Sequence, residues 1–138
     1  MICFIYTYDT EKAIKYARKY CNIYNPHYYH YGTMGDCANF VSQCLVAGGE
    51  DFKGCNGVNS QGTIEIVSYL EACLTFKGWK RSYGMNKDFK AGYPFFMHSQ
   101  HAMIATSVRG NTLRFCAHTN DRCDSLITAS SSYIYYYQ

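Results

Sequence analysis

The chain has 138 residues, a formal net charge of +3, 48% hydrophobic residues and 17% charged residues. This length and composition predict one folded domain over residues 1–138 rather than a disordered segment. The charges are scattered and the apolar runs are much shorter than the roughly 18 residues of a membrane span, so we expect no nucleic-acid partner and no transmembrane helix.

The first predicted element is a helix over residues 10–21. Asp9 is a candidate N-cap, and Pro26 ends the helical pattern because the residue before a proline avoids helical geometry. Apolar residues fall at the i, i+3, i+4 and i+7 spacing of one helix face: Ala13, Tyr16, Ala17 and Tyr20. A loop rich in Tyr and His follows at residues 27–31.

The second predicted helix starts after Asp36, its candidate N-cap, and stops at Gly48 and Gly49. Its apolar face contains Phe40, Val41, Cys44 and Leu45. Cys37 lies in the first turn of this helix. A loop rich in Gly, Asn and Ser separates it from a third predicted helix over residues 63–76.

The second half of the chain has the pattern of antiparallel strands. We predict strands at residues 95–97, 101–108, 112–119 and 133–137, with a hairpin turn at residues 109–111. Helices that precede antiparallel strands are typical of an α+β fold. We therefore expect N-terminal helices packed on a small antiparallel β-sheet.

One cysteine and two histidines form a candidate catalytic group. Cys37 is the one cysteine predicted at a helix start, where the helix dipole lowers the pKa of a thiol. His101 opens the first strand of the hairpin and His118 closes the second, so both lie at the end away from the turn. His118 could then hold the ring of His101, which would act as the base for Cys37. His98 is a rival candidate for the base.

The segment Gly35-Asp36-Cys37-Ala38-Asn39-Phe40-Val41-Ser42-Gln43-Cys44-Leu45 resembles the signature of the putative amidase domain family. This family belongs to the papain-like superfamily of NlpC-type and CHAP cell-wall peptidases. Further segments resemble the family in the same order: residues 13–28, 101–104 and 117–122. One segment departs from the family pattern, because Gly92 is followed by Tyr93 and Pro94 instead of Asp.

The resemblance implies a papain-like fold with Cys37 as nucleophile and His101 as base. His118 matches the third, polar residue of the triad, and Asn120 and Asp121 are alternatives for that role. The backbone amide of Cys37, at the start of a helix, is the predicted oxyanion donor. Candidate substrate-binding residues close to the nucleophile are Tyr28, Tyr31 and Asp36.

The implied function is a cysteine amidase or peptidase that cleaves an amide bond through a thioester. The expected substrate is peptide-like, such as a bacterial peptidoglycan stem peptide. Two alternatives stay open: an inactive binding module on the same fold, and an acyl transferase or deamidase. We predict no cofactor, no metal and a monomer.

The eight cysteines bear on the compartment. No pair has the two-residue gap of a zinc knuckle, and Cys116, His118 and Cys123 form only a weak candidate metal group. Cys21, Cys44 and Cys73 are predicted to be small core residues. A free catalytic Cys37 leaves an odd number of others, so we expect most or all cysteines to be reduced. The chain as given begins without the pattern of an export signal. The localisation stays open between several alternatives, among them a secreted and a phagosomal or cell-wall-directed role.

Overall fold

The computed structural model describes residues 7–31 and 35–138, so Cys3 lies outside the described residues. Three helices precede six strands: α1 (Thr10–Tyr20), α2 (Cys37–Ala47), α3 (Val67–Phe76), β1 (Lys80–Tyr83), β2 (Pro94–Met97), β3 (His101–Arg109), β4 (Thr112–Ala117), β5 (Arg122–Thr128) and β6 (Ile134–Tyr137). The strands form one antiparallel sheet in the order β1-β6-β2-β3-β4-β5. The predicted α+β class is confirmed. None of the helices described here has the length and apolarity to cross a membrane.

The helix α1 forms as predicted, because the side chain of Asp9 accepts a hydrogen bond from the Lys12 amide at 3.1 Å. The helix α3 is shorter than predicted and begins at Val67 instead of residue 63. Ile64 makes its backbone interactions with residues outside the helix. It forms a β-bridge with Val58, and its amide donates to the Ser42 hydroxyl at 3.1 Å. These bonds hold the residues before Val67 in an extended conformation.

The two strands that the sequence pattern did not predict, β1 and β5, form the two edges of the sheet. Most residues of both are exposed or half-buried. Edge strands therefore lack the apolar alternation on which strand prediction depends. The predicted strand at residues 112–119 ends instead at Ala117, because Thr119 and Asn120 have positive φ angles of 65° and 58° and form the turn into β5.

Residues alternate between two faces of the sheet. Phe96 and Tyr136 share one face. The register from β2 through β3 to β4 puts His118 on the same face, and His118 bonds Asp36 at the start of α2, so the helices cover this face. The opposite face carries a cluster of contacting aromatic rings: Phe89, Phe95, Phe115, Tyr133 and Tyr135. His101 pairs with Met97 in register, and both lie on this aromatic face.

Gly92 lies where α1 meets the sheet, in the segment that departs from the family pattern. Its φ is +94°, and a Cβ atom there would lie 2.6 Å from the Cβ of Thr10. The amide of Gly92 donates to the Ala105 carbonyl at 2.7 Å, and its own carbonyl accepts from the Tyr8 hydroxyl at 2.7 Å. This close approach requires glycine.

Two disulfides correct the expectation that most or all cysteines are reduced. Cys21 is bonded to Cys123 and Cys55 to Cys73, with Cα–Cα distances of 5.4 and 5.5 Å. Cys21 and Cys73 are therefore not simple core residues. The free cysteines among the described residues are all buried: Cys37, Cys44 and Cys116. An odd number of cysteines beside Cys37 excludes complete pairing, but it permits these two bonds.

Candidate functional site

Cys37 is the first residue of α2, as the sequence predicts. It is 4% exposed and it is not in a disulfide. The following eight residues of the helix are buried as well. The helix is therefore a central element of the fold, and it holds the thiol in a fixed place.

Burial raises the pKa of the Cys37 thiol above its ordinary value of 9.0. The backbone amides of Ala102, Ala38 and Cys37 itself favour the thiolate, and the charge of Asp36 opposes it. The loss of water around the sulfur outweighs the amides at the helix start. This corrects the expectation of a low thiol pKa: the resting group is a thiol, and a base must remove its proton during the reaction.

His101 is the first residue of β3, and it is half-buried. Burial lowers the pKa of its ring from 6.5, and the positive charge of Arg122 lowers it further. The ring is therefore neutral at neutral pH, which is the form that a general base needs.

The start of α2 and the start of β3 meet. Pairing between β3 and β4 begins at Ile104 and Cys116, so the first residues of β3 lie beyond the paired segment. At this open end the amide of Ala102 approaches the sulfur of Cys37, and His101 is the preceding residue. The tertiary structure thus brings the two sequence-predicted residues to one end of the sheet.

His118 does not bind His101, which corrects the predicted hydrogen bond between them. Its Nδ1 lies 2.5 Å from Oδ2 of Asp36, and its Nε2 lies 2.5 Å from the carbonyl oxygen of Tyr20. The ring is buried and stacks on Phe40 with a centroid distance of 3.9 Å. Both ring nitrogens therefore have other partners, on the helix side of the sheet.

Asp36 holds its neighbours rather than capping α2. It makes no side-chain cap bond. Besides His118, its carboxylate accepts from the Tyr31 amide at 3.2 Å and from the Asn39 side chain at 3.1 Å. Asp36 is 1% exposed, so it has no free surface for a substrate, contrary to the expected binding role. Asn39 was not among the predicted site residues, although its i, i+3 spacing from Asp36 is a signal for such a bond.

The tyrosine loop is bound to the same helix start. The hydroxyl of Tyr31 is hydrogen-bonded to Glu65, which raises its pKa to about 12. The Asn39 side chain donates to the Tyr29 carbonyl at 2.7 Å. The loop lines an open depression of about 740 Å³ with Pro26, Tyr28, Tyr29, His30 and Tyr31. The two candidate tyrosines, Tyr28 and Tyr31, both face this depression.

A second depression, of about 330 Å³, lies beside His101 on the aromatic face. We call it the His101 groove, and its lining residues are Met97, His101, Met103, Phe115, Thr119, Asn120, Arg122, Ile127 and Tyr133. Asn120, an alternative for the third residue, lies in this groove, and Asp121 and Cys37 do not line it. Thr119 and Arg122 were not among the predicted site residues, although both lie in a segment that carries the family resemblance.

The rival base and the weak metal group have other partners. His98 is 63% exposed at the turn between β2 and β3, and its Nδ1 lies 3.2 Å from Glu71. Cys123 is bonded to Cys21, so it has no thiolate to offer a metal. Within residues 7–31 and 35–138 no three His, Cys, Asp or Glu side chains are grouped as a metal site.

Comparison with known proteins supports the resemblance over the first two-thirds of the chain. A model of the putative amidase domain matches residues 7–92, more than half of the chain. The match contains Cys37, and it ends before His101 and His118. The uncharacterized protein YhbB of Bacillus subtilis (strain 168) is 43% identical over 49 residues, which are 36% of this chain and 15% of YhbB. The comparison with solved structures found no match.

Proposed function

The chain belongs to the putative amidase domain family, and the name of this family indicates amide hydrolysis. We propose that the protein is a cysteine hydrolase of the papain-like NlpC and CHAP type. The proposed substrate is peptide-like, with the bacterial peptidoglycan stem peptide as the leading candidate. One observation carries this proposal: a free, buried thiol occupies the first position of α2, beside the open end of β3, which begins with His101.

In the proposed reaction the ring of His101 turns from the aromatic face around the open end of β3 towards the start of α2. There it takes the proton of the Cys37 thiol as the sulfur attacks the amide carbonyl carbon. The neutral ring of His101 and the protonated thiol at rest suit this order of events. The Cys37 amide, at the helix start, donates to the oxyanion that develops. The C–N bond then breaks, His101 returns the proton to the leaving amine, and a thioester remains. Water attacks the thioester, releases a carboxylic acid and restores the thiol.

The geometry favours one of the candidates for the third polar residue of the triad. His118 has both ring nitrogens bonded elsewhere. Asn120 shares the groove with His101. We therefore propose Asn120 as the residue that orients the base, and we assign His118 to the support of α2.

The experiment that tests the proposal is incubation of the full chain with defined muropeptides, with products read by mass spectrometry. Hydrolysis adds the mass of one water across a single amide bond, and the position of that bond names the substrate link. The wild-type protein should form these products and Cys37→Ser should not. Equal product formation by both would refute the thiol mechanism.

Two alternatives have distinct outcomes in the same assay. An acyl transferase would transfer the acyl group from the Cys37 sulfur to an added amine and release the thiol, so products would carry the mass of that amine in place of water. A binding module would retain muropeptides without any change of mass. The thioester chemistry is common to the hydrolase and the transferase, and only the acceptor differs.

A further inference from the structure

The His101 groove has an apolar floor and a single cationic group. Its floor consists of side chains from β2, β3, β4 and the segments around them, of which Met103 and Phe115 are buried, with 3% and 8% exposed surface. Its polar edge consists of His101, Thr119, Asn120 and Arg122. A groove with this division suits a ligand that is aliphatic along its length and charged at one end.

Two hydrogen bonds hold Arg122 in place, and they use only one of its guanidinium nitrogens. Its Nη1 donates to the carbonyls of Asn120 at 3.2 Å and Asp121 at 3.5 Å. In the part of the chain that the structure describes, the cationic members of the ion pairs are Arg18, His98 and His118. Arg122 has no carboxylate partner there. A guanidinium with free N–H groups binds a planar carboxylate through two parallel hydrogen bonds.

Thr119 provides a second unused polar group in the same groove. Its Oγ1 is buried and has no hydrogen-bond partner among the described residues. Buried hydroxyls normally have a partner. Because Thr119 lines the groove and its Oγ1 has almost no exposed surface, the hydroxyl reaches a ligand there by rotation of the side chain. The two groups lie on the turn into β5 and its first residue, next to the proposed base.

We propose that the His101 groove binds a free carboxylate of a peptide substrate together with the aliphatic chain next to it. Arg122 is the anion-binding residue, and Thr119 is a further hydrogen-bond donor. The inference depends on the proposed function and names its substrate class: peptides that carry a carboxylate close to the bond that is cut. Such a ligand fits the groove because the floor is apolar and the one charge on its edge is positive.

The test is a binding measurement that needs no turnover. The full chain with Cys37→Ser is titrated with N-acetyl-Ala-Ala and with the C-terminal amide of the same dipeptide, and binding is followed by NMR shifts of β3 and β5 amides. The acid should bind at least about 10-fold more tightly than the amide, the loss expected when a charged hydrogen-bonded pair is removed. Equal affinity for acid and amide would overturn the proposal.

Arginine variants in the same background locate the effect. Arg122→Gln should abolish the preference for the acid, and Arg122→Lys should keep only part of it because an ammonium lacks the planar pair of donors. Arg109→Gln is the matched control, since Arg109 is exposed at the end of β3 away from His101. A preference for the acid that survives in Arg122→Gln would assign the anion site elsewhere.

This design separates the two proposals. If binding discriminates as expected and the wild-type protein cleaves no muropeptide, the groove stands and the hydrolase function fails. If the wild-type protein cleaves muropeptides in a Cys37-dependent way and acid and amide bind equally, the hydrolase stands and the carboxylate site fails.

Discussion

At the scale of single residues, the proposed chemistry depends on Cys37. Cys37→Ser should lower turnover by roughly 10³-fold or more, because serine in the same place lacks the nucleophilicity of a thiol. The fold should persist, since the change is nearly isosteric. The measurement is the muropeptide assay with thermal unfolding alongside it.

Cys116→Ser is the matched control for that variant. Cys116 is also free and buried, and its sulfur accepts a bond from the Asp124 amide at 3.5 Å, which a hydroxyl can also accept. We expect it to retain activity. Loss of activity in both variants with equal loss of stability would mean that Cys37 is a structural residue.

The position of the acid limb of the pH profile tests His101 as the base. A base works only when it is unprotonated, so kcat/KM should fall as the pH falls through the pKa of His101. Burial and Arg122 lower this pKa from 6.5, and the limb should therefore lie below pH 6.5. Arg122→Gln removes one of the two causes and should move the limb upwards, and the burial that remains keeps it below the ordinary value. A limb that Arg122→Gln does not move would argue against His101 as the titrating group.

The pair of His118 and Asp36 should support both stability and turnover. His118→Ala leaves a buried Asp36 oxygen without its partner, and we expect a loss of about 2–4 kcal/mol in the free energy of unfolding. Turnover should fall as well, because Asp36 directly precedes Cys37. Urea unfolding and kinetics measure the two effects.

An exposed ion pair provides the comparison for the buried pair of His118 and Asp36. Arg18 and Asp124 lie 3.2 Å apart with 52% and 39% of their side chains exposed. Arg18→Gln should therefore cost less than about 1 kcal/mol and leave turnover unchanged. A His118→Ala variant as stable as Arg18→Gln would show that the buried bond is dispensable.

At the scale of secondary-structure elements, the two disulfides should contribute unequally. Cys21 and Cys123 join the end of α1 to β5 across 102 residues, and Cys55 and Cys73 close a loop of 18 residues. Chain entropy then gives about 4.7 kcal/mol for the first bond and about 3.2 kcal/mol for the second. Denaturant midpoints of the paired Cys→Ala variants should differ in that order.

Thiol titration checks the same bonds directly. The denatured protein should gain four reactive thiols when a reductant is added, because the two disulfides contain four of the eight cysteines. No gain would show that the purified protein is fully reduced. Disulfides of this kind persist in oxidising compartments, so the titration also bears on localisation.

At the scale of the whole molecule, one buried core predicts one unfolding transition. Trp79, the single tryptophan, is 3% exposed, and its Nε1 donates to Glu50 at 2.7 Å. Its ring contacts Tyr8 and Tyr93, which tie the start of α1 to the segment before β2. Tryptophan fluorescence and far-UV circular dichroism should therefore report the same midpoint in urea. Two separate midpoints would contradict a single domain.

The sequence by itself determined the helices and central strands of this protein, because these elements bury one apolar face and the period of burial is written in the residue pattern. It also predicted the positions of Cys37 at a helix start and His101 at a strand start, which the structure has, since both are local features. The edge strands β1 and β5 carried no such period, because both are largely exposed.

Only the tertiary structure decided which groups meet. The partners of His118 are Asp36 and Tyr20, 82 and 98 residues away in sequence, and no local pattern encodes a contact at that separation. The direction of the shift in the Cys37 pKa was decided in the same way. The helix start lowers it by local geometry, but burial by the rest of the fold raises it more. The disulfides and the His101 groove likewise exist only after distant segments pack, which is why spacing along the chain could not predict them.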